Sequence, residues 1–156
     1  MNKSSATDSF WTEAKTTGEM VSGDDYWVRR LGANQFVVDS ILSLVLDGEK
    51  RGTFGLKWLH ERQPETAPEL NGYAVLVDMN ETPKAIIKTT QITPIAYKDI
   101  TDKHLVIEGP GARALDRWRD IHWPYWRELL KPHDLEPTEE MLVMVEHFDL
   151  VFPKRA

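Results

Sequence analysis

Apolar side chains recur at helical spacing between Gly32 and Glu49, where Val37, Ile41, Leu44 and Val45 share a face and Gly48 stands where a helix stops. Thr53–His60 alternates weakly and predicts a first strand, followed by a proline-bearing loop over Gln63–Leu70. Tyr73–Asp78 and Ala85–Ile95 are rich in β-formers, and the Asn80–Pro83 turn between them predicts a hairpin. Thr101–Glu108 predicts a short helix that Gly109-Pro110-Gly111 must break. Ala112–Lys131 predicts a long helix with Leu115, Trp118, Ile121 and Leu129 on one face, kinked or divided at Pro124. After a loop at Pro132–Pro137, Leu142–Phe152 reads as the last strand. Before all of these, Met1 to about Gly23 is rich in Ser, Thr, Gly and charge, and Met1–Lys15 reads as a frayed or peripherally docked tail. Residues 1–23 are therefore expected as a tail and 24–156 as one domain. Strands with helices inserted, without strict β-α-β alternation, predict the α+β class with a mixed or antiparallel sheet.

The length of 156 residues suits a single domain, and a 41% hydrophobic content is enough to build its core. With no cysteine, the chain has no disulfide framework, thiolate nucleophile or sulfur-built zinc site. No apolar run reaches membrane-spanning length, and Asp8, Glu13 and Glu19 occupy the stretch where a signal peptide would be apolar. The expectation is a cytoplasmic protein with no membrane partner. The net charge of −6 argues against wide duplex DNA binding, which needs a basic stripe, while leaving room for a local basic pocket. The five histidines form no metal-ligand pattern, so neither a metal nor another cofactor is expected.

Candidate chemistry centres on Asp47-Gly48-Glu49-Lys50-Arg51-Gly52-Thr53, a turn that could hold Lys50 and Thr53 over one pocket. A lysine serves as base only if burial frees it of its proton, and a threonine attacks only if a base takes its proton. The plainer role for Lys50 is to complement a helix dipole in solvent. His122, between Trp118 and Trp126, suits helix packing or substrate contact. Trp118, Trp123, Tyr125 and Trp126 could stack bases, although helical spacing favours a core. Arg113, Arg117, Arg119, Arg127 and Lys131 interleave with Asp116, Asp120 and Glu128 as on a salt-bridged face. Arg51, Lys57 and Arg113 are the candidate phosphate contacts.

Four stretches resemble the ASCH family, small β-barrel domains related to the PUA fold. Gly48-x-Lys50-x-x-Thr53 is similar to the family's G-x-K-x-x-T turn, and Asp99-Ile100-Thr101-Asp102-Lys103-His104 leading to Glu108-Gly109 is similar to its I-T-D and E-G segment. Trp118-Arg119-x-x-His122-x-x-Tyr125-Trp126 resembles its W-R-x-x-H-x-x-F-F helix, and Met141–Val151 its closing strand with a central E-x-F. The resemblance implies a PUA-like barrel with flanking helices and a cleft for a nucleoside or single-stranded RNA. Some small members are amidohydrolases acting on N-acetylcytidine through a lysine, a threonine and a glutamate, roles that would fall on Lys50, Thr53 and Glu108. Substrate contacts would come from Arg51, Lys57, Arg113, Trp118 and His122. Other relatives bind RNA or cut single strands, which is the alternative expectation. The chain departs from the family pattern after Gly109, where Pro110 and Ala112 replace an acid and a further polar residue, and Ala114 a serine.

Overall fold

The strand Tyr73–Val77 (β3) is apolar at every position because it is buried on both faces. It lies inside a five-stranded sheet made with Tyr26–Arg29 (β1), Gly52–Leu56 (β2), Pro83–Ala96 (β4) and Leu142–Phe152 (β5), in the order β1-β3-β4-β5-β2. This arrangement is seen in a computed structural model that describes residues 1–17 and 25–155. The expected hairpin is β3–β4, paired antiparallel, and β1 runs parallel to β3, so the sheet is mixed. Among the described residues the α-helices are Ser5–Lys15 (α1), Gln35–Leu46 (α2), Lys57–Arg62 (α3) and Leu115–Leu130 (α4).

Three apolar clusters hold the layers together. On one face of β3, Val75 and Val77 pack with Trp11 and Ala14 of α1. On the other, Ala74 and Leu76 pack with Val38, Leu42 and Val45 of α2. A third cluster joins Phe54 and Leu56 of β2, Val143 and Val145 of β5, and Trp118, Trp126 and Leu130 of α4.

Several expectations are corrected. The barrel is not closed: among the described residues β1 pairs only with β3 and β2 only with β5, so the two edges share no backbone hydrogen bonds. A four-residue edge strand is too short to close the sheet, and a side chain, Arg29, crosses to β5 in its place. The strand expected over Thr53–His60 ends at Leu56, and helix α3 takes over at Lys57. On α4, Ile121 and Leu129 are exposed, and Trp118, Trp126 and Leu130 form the buried face around an unbroken Pro124. The short helix before Gly109 is a 3-10 turn over Asp102–Ile107.

The segment expected as a frayed or docked tail contains α1, which is docked. Ser4 and Thr7 form a capping box, and Trp11 packs on Tyr26 and Tyr73 at ring distances of 5.0 and 5.4 Å. Tyr26 donates its hydroxyl proton to Asp8, tying helix to strand. The proposed boundary between residues 23 and 24 lies outside the described residues.

Trp11→Ala should therefore destabilise the protein by about 3–5 kcal/mol through the cavity it leaves. Phe36→Ala, at an 81% exposed position, should stay within about 0.5 kcal/mol of wild type. Urea unfolding of the two variants checks both.

Candidate functional site

The turn after α2 is set by its own backbone. Gly48 takes φ 82°, a left-handed conformation, and the amides of Glu49 and Lys50 both donate to the Leu44 carbonyl, at 2.9 and 3.0 Å. The chain reverses sharply and Lys50 enters the interior, 6% exposed. Opposite it, the 3-10 turn over Asp102–Ile107 delivers Glu108, 4% exposed. Gly109 follows because the loop presses on α2: a Cβ there would meet Leu44 Cδ1 at 2.5 Å.

Lys50 Nζ donates to Glu108 Oε1 in a buried ion pair. Arg113 fastens the two loops that carry the pair. Its Nε donates to the Glu108 carbonyl at 2.7 Å, and its Nη2 to the Glu49 carbonyl at 2.8 Å and carboxylate at 3.0 Å. On the α4 side, His122 Nε2 lies 3.8 Å from Glu108 Oε2, and its ring stacks on Trp118 at 4.5 Å. A carbonyl only accepts, so the 2.9 Å contact from His122 Nδ1 to the Trp118 carbonyl assigns the ring proton to Nδ1. Burial holds the imidazole below its ordinary range against the opposing pull of Glu108.

The structure thus brings together Lys50, Glu108, His122 and Arg113. Thr53, three residues on, stands directly across from Glu146 on β5, and among the described residues its hydroxyl makes no hydrogen bond to Lys50 or Glu108. Arg51 is exposed and donates to the Val106 carbonyl at 3.2 Å, while Lys57 is exposed at the start of α3. Trp118, expected at a substrate, is 0% exposed and belongs to the core.

A second polar cluster was not anticipated from sequence. Glu146, 2% exposed, accepts two hydrogen bonds from Arg29, at 2.8 and 2.9 Å, and one from Thr89 at 2.8 Å. The Arg29 guanidinium lies over the Trp27 ring at 4.8 Å. His60 covers Gly55, whose added Cβ would meet the imidazole at 2.8 Å, and burial also pushes this histidine below its usual range. The available signals were the acidic break in the last strand and the alternation in Tyr-Trp-Val-Arg. Among the described residues, no three His, Asp or Glu side chains converge as a metal ion would require.

The mixed sheet, its helices and the Lys50–Glu108 turn define an α+β domain of the PUA-like kind. The ASCH domain model matches residues 27–152, and the chain belongs to that family, whose fold is associated with RNA binding. An ASCH domain from Lactobacillus crispatus JV V101 superposes with a TM-score of 0.86 at 21% identity, covering 97% of both chains. A protein of Enterococcus faecalis V583 superposes with a TM-score of 0.77 at 24% identity, covering 94% of this chain and 92% of that one. No curated protein matches the sequence. Among the described residues no helix is long and apolar enough to cross a membrane.

Because His122 is held neutral in the fold, the unfolded chain binds more protons between the lowered folded value and the ordinary one of about 6.5. Stability should fall as the pH drops through that window, and His60 and His104 act in the same direction. Each histidine contributes at most about 1.4 kcal/mol per pH unit. Urea titrations between pH 7.5 and 5 should show this decline, and a flatter one in His122→Gln.

Proposed function

We propose that the chain binds an RNA-derived ligand beside Lys50 and Glu108 and hydrolyses the amide of an acylated cytidine or a similar nucleoside. The buried Lys50–Glu108 pair with His122 at its side carries this reading. In the resting protein each charge neutralises the other. When a substrate carbonyl reaches the pair, Lys50 donates to its oxygen and stabilises the negative charge that develops there. Glu108, released from Lys50, takes a proton from a water whose oxygen attacks the carbonyl carbon. The carbon–nitrogen bond then breaks, and Glu108 returns the proton to the leaving nitrogen.

Among the described residues neither Lys50 nor Glu108 hydrogen-bonds the Thr53 hydroxyl, so no base stands ready to take its proton, and water is taken as the nucleophile. Arg113 acts on the pair through the backbones it fastens, and Arg51 and Lys57 are left as outer contacts for a phosphate. The second reading is an RNA-binding module, with or without single-strand ribonuclease activity. It draws on the exposure of Arg51 and Lys57 at the two ends of β2.

Deacetylation of acetylcytidine separates the two. Lys50→Ala and Glu108→Gln should each lower turnover by about 10²–10⁴-fold, the span of one general acid–base group, with the protein still folded by circular dichroism. Thr53→Val should retain most of the activity. Absence of turnover in the wild type, with RNA affinity that falls by a slope of about −0.7 per phosphate contact against log salt, would establish the binding module instead.

A further inference from the structure

His122 stands beside the Lys50–Glu108 pair with its two ring nitrogens in different roles. Nδ1 donates to the Trp118 carbonyl at 2.9 Å, so the neutral ring carries a lone pair on Nε2. Nε2 faces Glu108 Oε2 at 3.8 Å, beyond hydrogen-bond distance. The gap has a physical reason: a lone pair and a carboxylate are both acceptors, and two acceptors cannot bond.

The ring is fixed in this position by its neighbours. It stacks on Trp118 at 4.5 Å and meets Trp126 at 5.0 Å and Phe54 of β2 at 6.0 Å. The charged groups that bear on it are Glu108, from the loop before α4, and Lys50, from the turn after α2. Burial among the aromatic rings outweighs the pull of Glu108 and keeps the imidazole neutral at pH 7. Lys50 holds Oε1 of Glu108, which leaves Oε2 as the oxygen that receives a proton. A protonated Oε2 is a donor, and Nε2 is the acceptor already facing it.

We propose that His122 is a positioning residue for Glu108: Nε2 accepts a hydrogen bond from Oε2 while that oxygen carries the proton of the attacking water, and gives it up when the proton passes to the leaving nitrogen. This inference rests on the hydrolytic reading above. The water O–H bond breaks as its oxygen bonds the carbonyl carbon, Oε2 holds the proton between the two steps, and the proton leaves with the amine as the carbon–nitrogen bond breaks. His122 neither gains nor loses a proton in the cycle. Because Nε2 meets a donor only in the intermediate, the contact favours that state over the resting one.

Two measurements on the full chain test it. NMR of ring-¹⁵N-labelled histidine, with the His122 ring assigned through its backbone, should show the proton on Nδ1 and none on Nε2 at neutral pH. In Glu108→Gln the side-chain amide presents a donor where the protonated acid would, and the Nε2 resonance should move to lower frequency as it accepts. This arm needs no His122 variant. In acetylcytidine deacetylation, His122→Phe keeps a stacked ring without nitrogens, and its kcat should fall about tenfold, the effect of one hydrogen bond, with KM within about twofold of wild type. Its kcat should also vary less with acidification, because in the wild type a charged ring offers Glu108 an N–H in place of the lone pair. A role in packing alone would leave the Nε2 resonance and the shape of that pH profile unmoved. A proton on Nε2, or wild-type turnover that His122→Phe leaves unchanged, would overturn this inference alone. No turnover in the wild type overturns the hydrolytic reading, and this inference with it.

Discussion

Arg29 and Glu146 are joined although three strand steps separate them in the sheet. With strands about 4.8 Å apart, β1 and β5 would lie roughly 14 Å from each other in a flat sheet. Side chains standing off such a sheet would point past one another. The bidentate contact at 2.8 and 2.9 Å ties β1 to β5 across the two strands between them. Removing such a pair from water is expensive, and the penalty is offset only when geometry and hydrogen bonding are complete. Thr89 supplies the third hydrogen bond to Glu146, and the Trp27 ring covers the guanidinium. One charged strut thus links two strands that share no backbone hydrogen bonds.

The strut also bears on the Lys50–Glu108 site. Glu146 lies opposite Thr53, and β2 begins two residues after Lys50. The Phe148 amide donates to the Arg51 carbonyl, and the Arg51 amide donates to the Ile107 carbonyl. A short covalent and hydrogen-bonded route therefore runs from the centre of β5 to the turn that presents Lys50 and the 3-10 turn that presents Glu108. Arg113 closes that route from the other side by gripping Glu49 and Glu108 together. The ion pair is buried because both of its loops are anchored, and neither loop could hold its charge inside alone.

What the sequence disclosed follows from how local each signal is. The last strand, the β3–β4 hairpin and α2 were legible because their patterns are complete within a dozen residues. β1 was not, since four residues carry too little pattern and its partner β3 lies more than forty residues on. Helix α1 was hidden by its polar exposed face, which left Phe10, Trp11 and Ala14 as a few apolar residues in a polar stretch. On α4, Leu115 and Trp118 of the face read from the sequence do pack in the core, whereas Ile121 and Leu129 are exposed and Trp126 and Leu130 complete the buried side. The Lys50 turn was visible from its glycines, whereas its pairing with Glu108 emerged from the family resemblance. Arg29 and Glu146, 117 positions apart, left no local trace of their contact.

Charge placement narrows what the domain can recognise. Of the cations flagged in the sequence, Lys50 is paired with Glu108, while Arg51 and Arg113 donate to main-chain carbonyls. Arg29 is neutralised by Glu146. A strand of phosphates binds chiefly because free protein cations neutralise it and release its condensed counterions into solution, and these side chains are already committed within the fold. The Lys50–Glu108 pair therefore brings little net positive charge to its site. On the reading proposed above, such a site discriminates by hydrogen-bond geometry and takes a neutral nucleoside in preference to a long polyanion. In a protein of net charge −6, contact with RNA would then centre on an individual nucleoside unit, with the backbone touched only at exposed positions such as Lys57.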